Sequence, residues 1–312
     1  EGRMKGLQLL ATGGALPGRV VTNEDLSRQV DTSDEWITTR TGIRQRYYCT
    51  ESEDAATLAI AAARQALARS GLAASEIACC VAATLSAPTA TPSVACRVQA
   101  ALGLPENRPA FDVNAACSGF IYAIAAAHGL LNTLGGRYAL VIGCEALSRM
   151  VDPTDRTTCV LFGDGAGAAI LELAEDVPFA VTLGARGSEA IRVGGSAACD
   201  TAPITMDGKA VFRFAVETMP RCLQTVLERS QKTLADLDWV VCHQANSRII
   251  DHCIKHLHAE PSKFYKNMDR HGNTSAASIP IALHEMVEND VLHPGQTLAN
   301  LPLPALTPGR WA

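Results

Sequence analysis

Charged residues are scarce in this chain: they make up 19% of its 312 residues, whereas hydrophobic residues make up 47%. This balance excludes an intrinsically disordered chain, because disorder requires low hydrophobicity and a high net charge. The net charge of −5 excludes a globally basic nucleic-acid-binding protein. No apolar run reaches the roughly 20 residues of a membrane-spanning helix, and the first residues do not resemble a signal peptide. We therefore expect a cytoplasmic globular protein that binds neither nucleic acid nor a membrane.

The chain also lacks Cys-x-x-Cys and His-Glu-x-x-His motifs, although it contains 11 cysteines and 8 histidines. The sequence therefore indicates neither a structural zinc nor a thioredoxin-like site, and we expect no metal and no cofactor. His252 and His256 have the spacing of a helical metal-binding pair, but a solvated helix face is the better interpretation. The odd number of cysteines and their irregular spacing argue against a disulfide framework. Most of them should be small buried hydrophobic residues.

Short apolar segments alternate with helical patterns along the chain. Residues 77–83 and 239–242 are continuously apolar, as expected for strands that are buried on both faces. Thr50 and Glu53 have the spacing of a capping box before a helix that stops at Gly71. The other predicted strands are 110–114 and 138–143, and the other predicted helices are 119–131, 219–232 and 247–257. This alternation predicts an α/β fold with a largely parallel sheet.

Two strand-to-helix turns suggest that the chain consists of two related halves. One turn runs from a strand ending at Val113 to Cys117, and the other runs from a strand ending at Val241 to His243. Each turn places a reactive side chain where open α/β sheets hold their sites. The acidic segment that begins at residue 175 suggests a boundary, which gives a first half at 1–172 and a second half at 173–312.

Cys117 is the strongest candidate nucleophile, because it begins a predicted helix whose dipole and free N–H groups would stabilise a thiolate. On position alone, an inert buried cysteine is an equally good interpretation. His243, taken alone, is more often a structural histidine than a catalyst, and Asn273 lies in an ordinary loop. The glycine-rich residues 162–167 are followed by a strand pattern, whereas a dinucleotide site requires a helix there.

Taken together, these segments resemble the β-ketoacyl-acyl carrier protein synthase III family, whose members start type II fatty-acid synthesis. The resemblance extends to about residue 297. It is carried by motifs that occur in the family's order at 32–36, 40–43, 112–120, 152–156, 162–169, 243–250 and 271–278. It implies a thiolase-like duplicated fold with five layers of helix and sheet, in which the sheets are mixed and largely parallel. It also implies a homodimer.

The resemblance also implies the reaction and the site. Cys117, His243 and Asn273 match a catalytic triad for the decarboxylating condensation of an acyl-CoA starter, acetyl-CoA or similar, with malonyl-acyl carrier protein. Coenzyme A is then part of a substrate and not a cofactor. The positions that match coenzyme A contacts are Thr32, Trp36, Arg40, Arg156, Gly208, Ala245 and Asn246. The positions that match a docking patch for the acidic carrier protein are Arg213, Arg248 and Lys255.

Two regions depart from the family pattern. Thr91 stands where some members carry a phenylalanine that closes the acyl pocket of the neighbouring subunit, so we expect a roomier pocket. The tail from residue 298 lacks the Gly-Gly-Gly turn whose N–H joins the oxyanion hole in the family. Its prolines, Pro302, Pro304 and Pro308, predict that the closing strand is disrupted. This tail is either genuine or the product of a shifted reading frame or a sequence error.

Three other functions stay open at this point. One is a related condensing enzyme of secondary metabolism that uses another starter. Another is an inactive partner subunit or scaffold, which the altered tail favours and the retained triad opposes. The third is a papain-like cysteine hydrolase, in which the histidine acts as a base toward the cysteine, but the local signature of that family is absent.

Overall fold

The computed structural model describes residues 5–175, 177–195, 202–301 and 305–311, the last range for its backbone only. These residues form fourteen β-strands and nine α-helices. The strands are β1 Gly6–Ala15, β2 Arg19–Thr22, β3 Gln45–Tyr48, β4 Ile77–Ala83, β5 Ala110–Val113, β6 Tyr138–Ala146, β7 Asp164–Ala174, β8 Thr182–Leu183, β9 Ile191–Arg192, β10 Thr205–Met206, β11 Trp239–Cys242, β12 Phe264–Tyr265, β13 Thr297–Leu301 and β14 Ala305–Trp311. The helices are α1 Asn23–Ser27, α2 Asp34–Thr41, α3 Ala55–Ser70, α4 Val94–Leu102, α5 Gly119–Leu134, α6 Gly208–Ser230, α7 Ser247–His256, α8 Met268–His271 and α9 Ser278–Glu288.

One mixed sheet of ten strands organises the molecule. Its order is β12-β11-β13-β14-β1-β7-β6-β4-β5, and β8 pairs with β14 beside this path. β4 pairs in parallel with β5 and β6, and β11 pairs in parallel with β12 and β13. β7 and β14 then add antiparallel to β6 and β13. The same arrangement therefore occurs on both sides of the parallel β1–β14 junction.

The alternating strand residues separate three layers of helices. On β4, Val81 belongs to a cluster with residues of α5 and α9, whereas Ala82 packs with α3 and α4. On β11, Val241 belongs to the same α5/α9 cluster, whereas Val240 packs with α6 and α7. Strand residues alternate between the two faces of a sheet. The part of the sheet that contains β4 therefore separates α3/α4 from α5/α9, and the part that contains β11 separates α5/α9 from α6/α7. The layers are thus α3/α4, strands, α5/α9, strands and α6/α7. This confirms the predicted five layers.

The strand order corrects the predicted correspondence between the two halves. Because β4 occupies the position of β11, β5 occupies the position of β12. The Cys117 turn, between β5 and α5, therefore corresponds to the Asn273 turn, between β12 and α9. It does not correspond to the His243 turn, which follows β11. The division between residues 172 and 173 stays a prediction, and it falls within the last residues of β7.

The closing strand differs from what the prolines predict. β14 pairs antiparallel with β13 and parallel with β1, and Pro308 lies opposite Ala299. The expectation that the prolines disrupt this strand is therefore wrong for residues 305–311. A proline is tolerated in a strand where no ladder hydrogen bond needs its missing N–H. Pro302 and Pro304, together with the place of the family's glycine turn, lie outside the described residues.

Two helix boundaries also differ from the sequence prediction. α3 begins one turn later than expected, because Asp54 and Thr57 form its capping box, while Thr50 and Glu53 form a separate turn before it. α6 begins at Gly208, well before the predicted residue 219, with Pro220 inside the helix. α5 and the turn before it have the length and composition of a membrane span. However, α5 belongs to the central layer between the strands, where its apolar side chains form part of the core.

The glycine-rich residues 162–167 serve packing. β7 begins at Asp164, inside this segment. A Cβ atom at Gly167 would lie 2.5 Å from the backbone nitrogen of Ile281 on α9. Glycine is therefore needed for the close approach of α9 to β7, which supports the prediction that this segment does not bind a nucleotide.

Candidate active site

Residues 273–278 form the centre of the candidate active site. Asn273 belongs to this segment, the Ser275 side chain lies beside the Cys117 thiol, and the Ser278 Oγ atom lies 2.6 Å from Nδ1 of His243. The segment reaches this position because β6 carries Gly143, where a Cβ atom would lie 2.2 Å from the carbonyl oxygen of Ala276. The structure thus brings together the three residues that the sequence assigns to the triad.

Cys117 occupies a tight turn between β5 and α5. Its neighbour Ala116 has a φ of 46°, in the left-handed region that non-glycine residues rarely adopt. Part of the residue is exposed, but the thiol is surrounded by protein. Burial raises the pKa of Cys117 to about 11, although the Ser275 side chain acts in the opposite direction. Desolvation therefore opposes the thiolate that the helix start is predicted to stabilise.

His243 follows the last residue of β11 and is 1% exposed. Its backbone N–H donates to the carbonyl oxygen of Leu301, at 2.6 Å, which fixes its position relative to β13. Burial lowers the pKa of His243 to about 4, so the imidazole is neutral at pH 7. Its Nε2 atom is buried and has no hydrogen-bond partner among the described residues. This nitrogen is therefore free to bind a substrate atom.

Asn273 is fixed through its backbone and its side-chain oxygen. Its N–H donates to the carbonyl oxygen of Leu161, at 2.9 Å, and its own carbonyl oxygen accepts from the N–H of Gly163, at 3.0 Å. The Oδ1 atom accepts from the N–H of Ser275, at 2.9 Å. Because the oxygen of the amide is used in this way, its Nδ2 hydrogens are the part of the side chain that can donate to a substrate.

A partly buried ionic cluster supports the loop before Asn273. Glu285 on α9 accepts hydrogen bonds from Tyr265, at 2.6 Å, and from Arg270. Its other oxygen lies 2.6 Å from Nε2 of His271. Burial alone would raise the pKa of Glu285, but the bonds from His271, Arg270 and Tyr265 outweigh it and lower the pKa to about 2. The carboxylate therefore stays ionised and holds the loop to α9.

Glu145 is a buried acid that the sequence analysis missed. It is the penultimate residue of the apolar strand β6 and is fully buried. It accepts hydrogen bonds from the Ser86 hydroxyl, from the Leu85 N–H at 3.3 Å and from the Thr84 hydroxyl at 3.3 Å. Burial raises the pKa of Glu145 to about 7 against these bonds and against the Ala276 N–H. Its charge also raises the pKa of the Cys117 thiol, so the acid belongs electrostatically to this site.

The predicted coenzyme A positions at Trp36, Arg40 and Arg156 lie together. The Arg40 and Arg156 guanidinium carbons lie 4.4 and 5.0 Å from the centre of the Trp36 ring. Arg156 also donates to the carbonyl oxygen of Asp31, at 2.6 Å. The family resemblance implies that Trp36 and Arg156 sandwich the adenine of coenzyme A, and an adenine stacked between two flat groups needs about 7 Å between them. Arg156 must therefore move away from Trp36 before an adenine can enter between the two side chains.

The other predicted coenzyme A positions lie on two helices and the loop before α2. Gly208 begins α6, and Asn246 caps α7, where it also donates to the Arg40 carbonyl oxygen, at 3.0 Å. Ala245 is half-buried beside this cap. The Thr32 hydroxyl is buried without a hydrogen-bond partner among the described residues. Asn246 thus joins the start of α7 to α2, three residues after His243.

The predicted docking residues Arg213, Arg248 and Lys255 are all exposed. Arg248 and Lys255 lie seven residues apart on α7, which places them on one face of the helix. The Arg248 guanidinium lies 5.7 Å from the ring of Phe212, the residue before Arg213 on α6. The structure thus brings Arg248 near the segment of α6 that carries Arg213.

Thr91 is exposed in the loop between β4 and α4. Its neighbours Ala90 and Ser93 line an open cavity of about 710 Å³, to which Asp112 and Asn114 also contribute. The position is therefore on the surface of this chain, beside the strand that leads to Cys117. The described residues contain no group of three or more potential metal ligands, and the His252 and His256 rings stack with their centres 6.2 Å apart.

Comparison with known proteins defines the family. The sequence model of 3-oxoacyl-[acyl-carrier-protein] synthase III matches residues 111–187, and the model of its C-terminal part matches residues 227–301. The chain is 44% identical over 303 residues to the β-ketoacyl-[acyl-carrier-protein] synthase III of Neisseria meningitidis. This alignment covers 95% of this chain and 94% of that protein. The chain belongs to this family.

Solved structures agree with this assignment. The 3-oxoacyl-[acyl-carrier-protein] synthase III of Aquifex aeolicus matches with a TM-score of 0.89 and 39% identity, over 97% of this chain and 98% of that one. The priming β-ketosynthase of the R1128 polyketide pathway matches with a TM-score of 0.91 and 30% identity, over 100% of this chain and 97% of that one. The predicted thiolase-like fold, the acyltransferase class and the condensation that initiates fatty-acid biosynthesis are confirmed.

Proposed function

We propose that this chain joins an acyl group from acyl-CoA to malonyl-acyl carrier protein, with Cys117, His243 and Asn273 as its catalytic residues. The observation that carries the proposal is the segment 273–278, which contacts the thiol on one side and the imidazole on the other. We further propose that the active form is a cytoplasmic homodimer that requires neither metal nor cofactor.

In the first half-reaction, the Cys117 sulfur attacks the thioester carbonyl of acyl-CoA. The acyl group passes to the cysteine, and the leaving coenzyme A sulfur takes up the proton that the thiol gives up. A thiol suits this step because sulfur is both a good nucleophile and a good leaving group. Trp36, Arg40 and Arg156 would bind the nucleotide end of the substrate, and Thr32, Gly208, Ala245 and Asn246 would line its path inward.

In the second half-reaction, malonyl-acyl carrier protein loses carbon dioxide, and the electron pair of the broken bond forms an enolate. His243 Nε2 and Asn273 Nδ2 would donate hydrogen bonds to the enolate oxygen, where the negative charge develops. The enolate carbon then attacks the acyl-Cys117 carbonyl and expels the thiolate, which takes up a proton. This produces the β-ketoacyl-acyl carrier protein.

The carrier protein would dock at Arg213, Arg248 and Lys255. All three are exposed cations, and local positive charge can attract an acidic partner although the net charge is −5. Thr91 would face the acyl pocket of the second subunit and, being smaller than phenylalanine, would leave room for starters longer than acetyl. This remains compatible with a role in secondary metabolism, which the 30% identity to a polyketide priming synthase favours as the second candidate.

Incubation with acetyl-CoA followed by mass spectrometry tests the proposal. We expect one acetyl group on Cys117 and, after addition of malonyl-acyl carrier protein, its loss together with the appearance of acetoacetyl-acyl carrier protein. Cys117→Ala should remove both signals, while Cys222→Ala, which changes another partly exposed cysteine, should retain both. A protein that stays unmodified with acetyl-CoA and with a panel of longer acyl-CoAs would contradict the proposed role of Cys117.

A further inference from the structure

The hydroxyl of Ser278 is hydrogen-bonded to the ring of the candidate catalytic histidine, His243. Its Oγ atom lies 2.6 Å from Nδ1 of His243. Both residues are almost fully buried, with exposed fractions of 2% and 1%. Ser278 is the first residue of α9, and His243 follows β11, so the contact joins two separate elements. Water is therefore excluded from this hydrogen bond, and one of the two atoms must donate to the other.

The direction of this hydrogen bond follows from the other partner of Ser278. The N–H of Gln244 points to the same Oγ atom, at 3.4 Å, and therefore uses one of its lone pairs. If His243 also donated from Nδ1, the serine O–H would have no acceptor among the described residues. A buried donor without a partner costs about 1–3 kcal/mol. The hydroxyl therefore donates to Nδ1, and the single proton of the neutral imidazole resides on Nε2.

We infer that Ser278 is a positioning residue that fixes His243 in the tautomer with its proton on Nε2. The Nε2 atom is the one that is buried without a partner, so the serine orients a ready donor toward the substrate. In this tautomer His243 can donate to a thioester oxygen, but Nε2 cannot accept the proton of the Cys117 thiol. The inference deepens the proposed function and rests on the assigned role of His243.

Thr12 and His284 provide a matched control for this contact. Thr12 is a buried hydroxyl residue on β1, and its Oγ1 atom lies 3.2 Å from Nδ1 of His284 on α9. Thr12→Val therefore removes a hydroxyl–imidazole hydrogen bond that ends on the same helix as Ser278. His284 is not one of the residues assigned to the site, so the control reports the effect of losing such a bond on α9 alone.

The test compares Ser278→Ala, Ser278→Thr and Thr12→Val with the parent in two assays. Acetyl transfer from acetyl-CoA to Cys117 is measured by intact mass, and condensation with malonyl-acyl carrier protein is measured at saturating substrates. We expect Ser278→Ala to load acetyl at the parent rate and to lose condensation kcat roughly 10- to 100-fold, by analogy with the loss of a partner that orients a metal-binding histidine. Ser278→Thr should retain most of the parent condensation kcat, and Thr12→Val should not lower it.

Nitrogen-15 NMR of the labelled histidines reads the tautomer directly. The His243 signals are identified by their absence in His243→Gln. We expect a protonated Nε2 and an accepting Nδ1 in the parent, and a mixture of tautomers in Ser278→Ala. A parent with the proton on Nδ1, or a Ser278→Ala variant that condenses at the parent rate, overturns the inference. If Ser278→Ala does not fold, the parent tautomer and the Ser278→Thr rates decide. A parent that never loads acetyl would instead contradict the proposed function and leave the tautomer result valid.

Discussion

The turn before α5 and the turn before α9 have the same backbone but carry different side chains. Each is a single 3₁₀ turn, Ala116–Ser118 in the first half and Ser275–Ala277 in the second. The first residue of each turn is left-handed, with φ values of 46° and 48°. In each, an asparagine two residues earlier accepts from that residue's N–H, at 3.2 Å for Asn114 and 2.9 Å for Asn273.

The difference between the turns lies in which position carries the reactive group. In the first turn the middle residue is Cys117, and the asparagine at its start is exposed. In the second turn the middle residue is Ala276, and the asparagine at its start is buried in the site. In the proposed mechanism, a duplicated backbone therefore supplies a nucleophile from one copy and a hydrogen-bond donor from the other. The same local geometry does not impose the same chemistry.

The largest effect should come from removing the asparagine of each turn. Both Asn273→Ala and Asn114→Ala lose the hydrogen bond that closes the turn, but only Asn273 also faces the enolate in the proposed mechanism. We expect Asn273→Ala to load acetyl normally and to lose condensation about 10²–10³-fold, as for the loss of one oxyanion donor. Asn114→Ala should reduce loading and condensation equally and only severalfold. Equal loss of both steps in Asn273→Ala would place the two asparagines in the same structural role.

An intermediate effect should come from Glu145, which interacts with the middle residue of both turns. The folded state raises its pKa from 4.5 to about 7. A raised carboxyl pKa means that the folded state binds the proton more tightly, so the stabilisation is present below pH 4.5 and is lost as the pH rises toward 7. The full shift corresponds to about 3 kcal/mol.

Glu145→Gln removes this titration. Chemical unfolding of the parent and the variant at a series of pH values should show the variant gaining, relative to the parent, about 3 kcal/mol between pH 4.5 and pH 8. The quantity compared is the slope of the free energy of unfolding against pH. The different hydrogen bonds of glutamine shift this free energy by an amount that does not depend on pH. If the free energies of unfolding of the parent and the variant change with pH in parallel, Glu145 does not titrate in this pH range.

The smallest effect should come from the left-handed residue of the first turn. An alanine in this region places its Cβ close to the next carbonyl oxygen, whereas glycine does not. We expect Ala116→Gly to raise the free energy of unfolding by about 0.5–1 kcal/mol, after the greater freedom of glycine in the unfolded chain is subtracted. Ala115→Gly is the matched control, because Ala115 has a φ of −133°. This variant should have a lower free energy of unfolding than the parent. Destabilisation of both variants would exclude strain at Ala116.

The elements that the sequence predicted best are the ones with the simplest pattern. β4 and β11 have the predicted bounds because strands buried on both faces are continuously apolar. The start of α6 was missed, since Pro220 interrupts the helical pattern. The correspondence of the halves was also missed, because it was drawn between reactive residues, whereas the repeat is one of strand order and backbone.

The candidate triad could be predicted from the sequence because its motifs resemble those of a known family. The residues around it could not. Glu145 stands at the end of an apolar strand, where a charged residue usually reaches solvent, and only the fold shows that it is buried. Ser278 lies within the family motif at 271–278, but a serine at the start of a helix usually serves to cap it. Its contact with His243 depends on the packing of α9 against β11, which no local pattern encodes.

The protonated state of Cys117 also bears on how this protein withstands oxidants and electrophiles. Peroxides and alkylating reagents react with thiolates, and a thiol with a pKa of about 11 is ionised in only about one molecule in 10⁴ at pH 7. We therefore expect the proposed nucleophile to react slowly with oxidants and with unselective alkylating agents before substrate binds. A covalent inhibitor of this site must gain its rate from binding and orientation, as the substrate does, because the resting sulfur supplies little reactivity of its own.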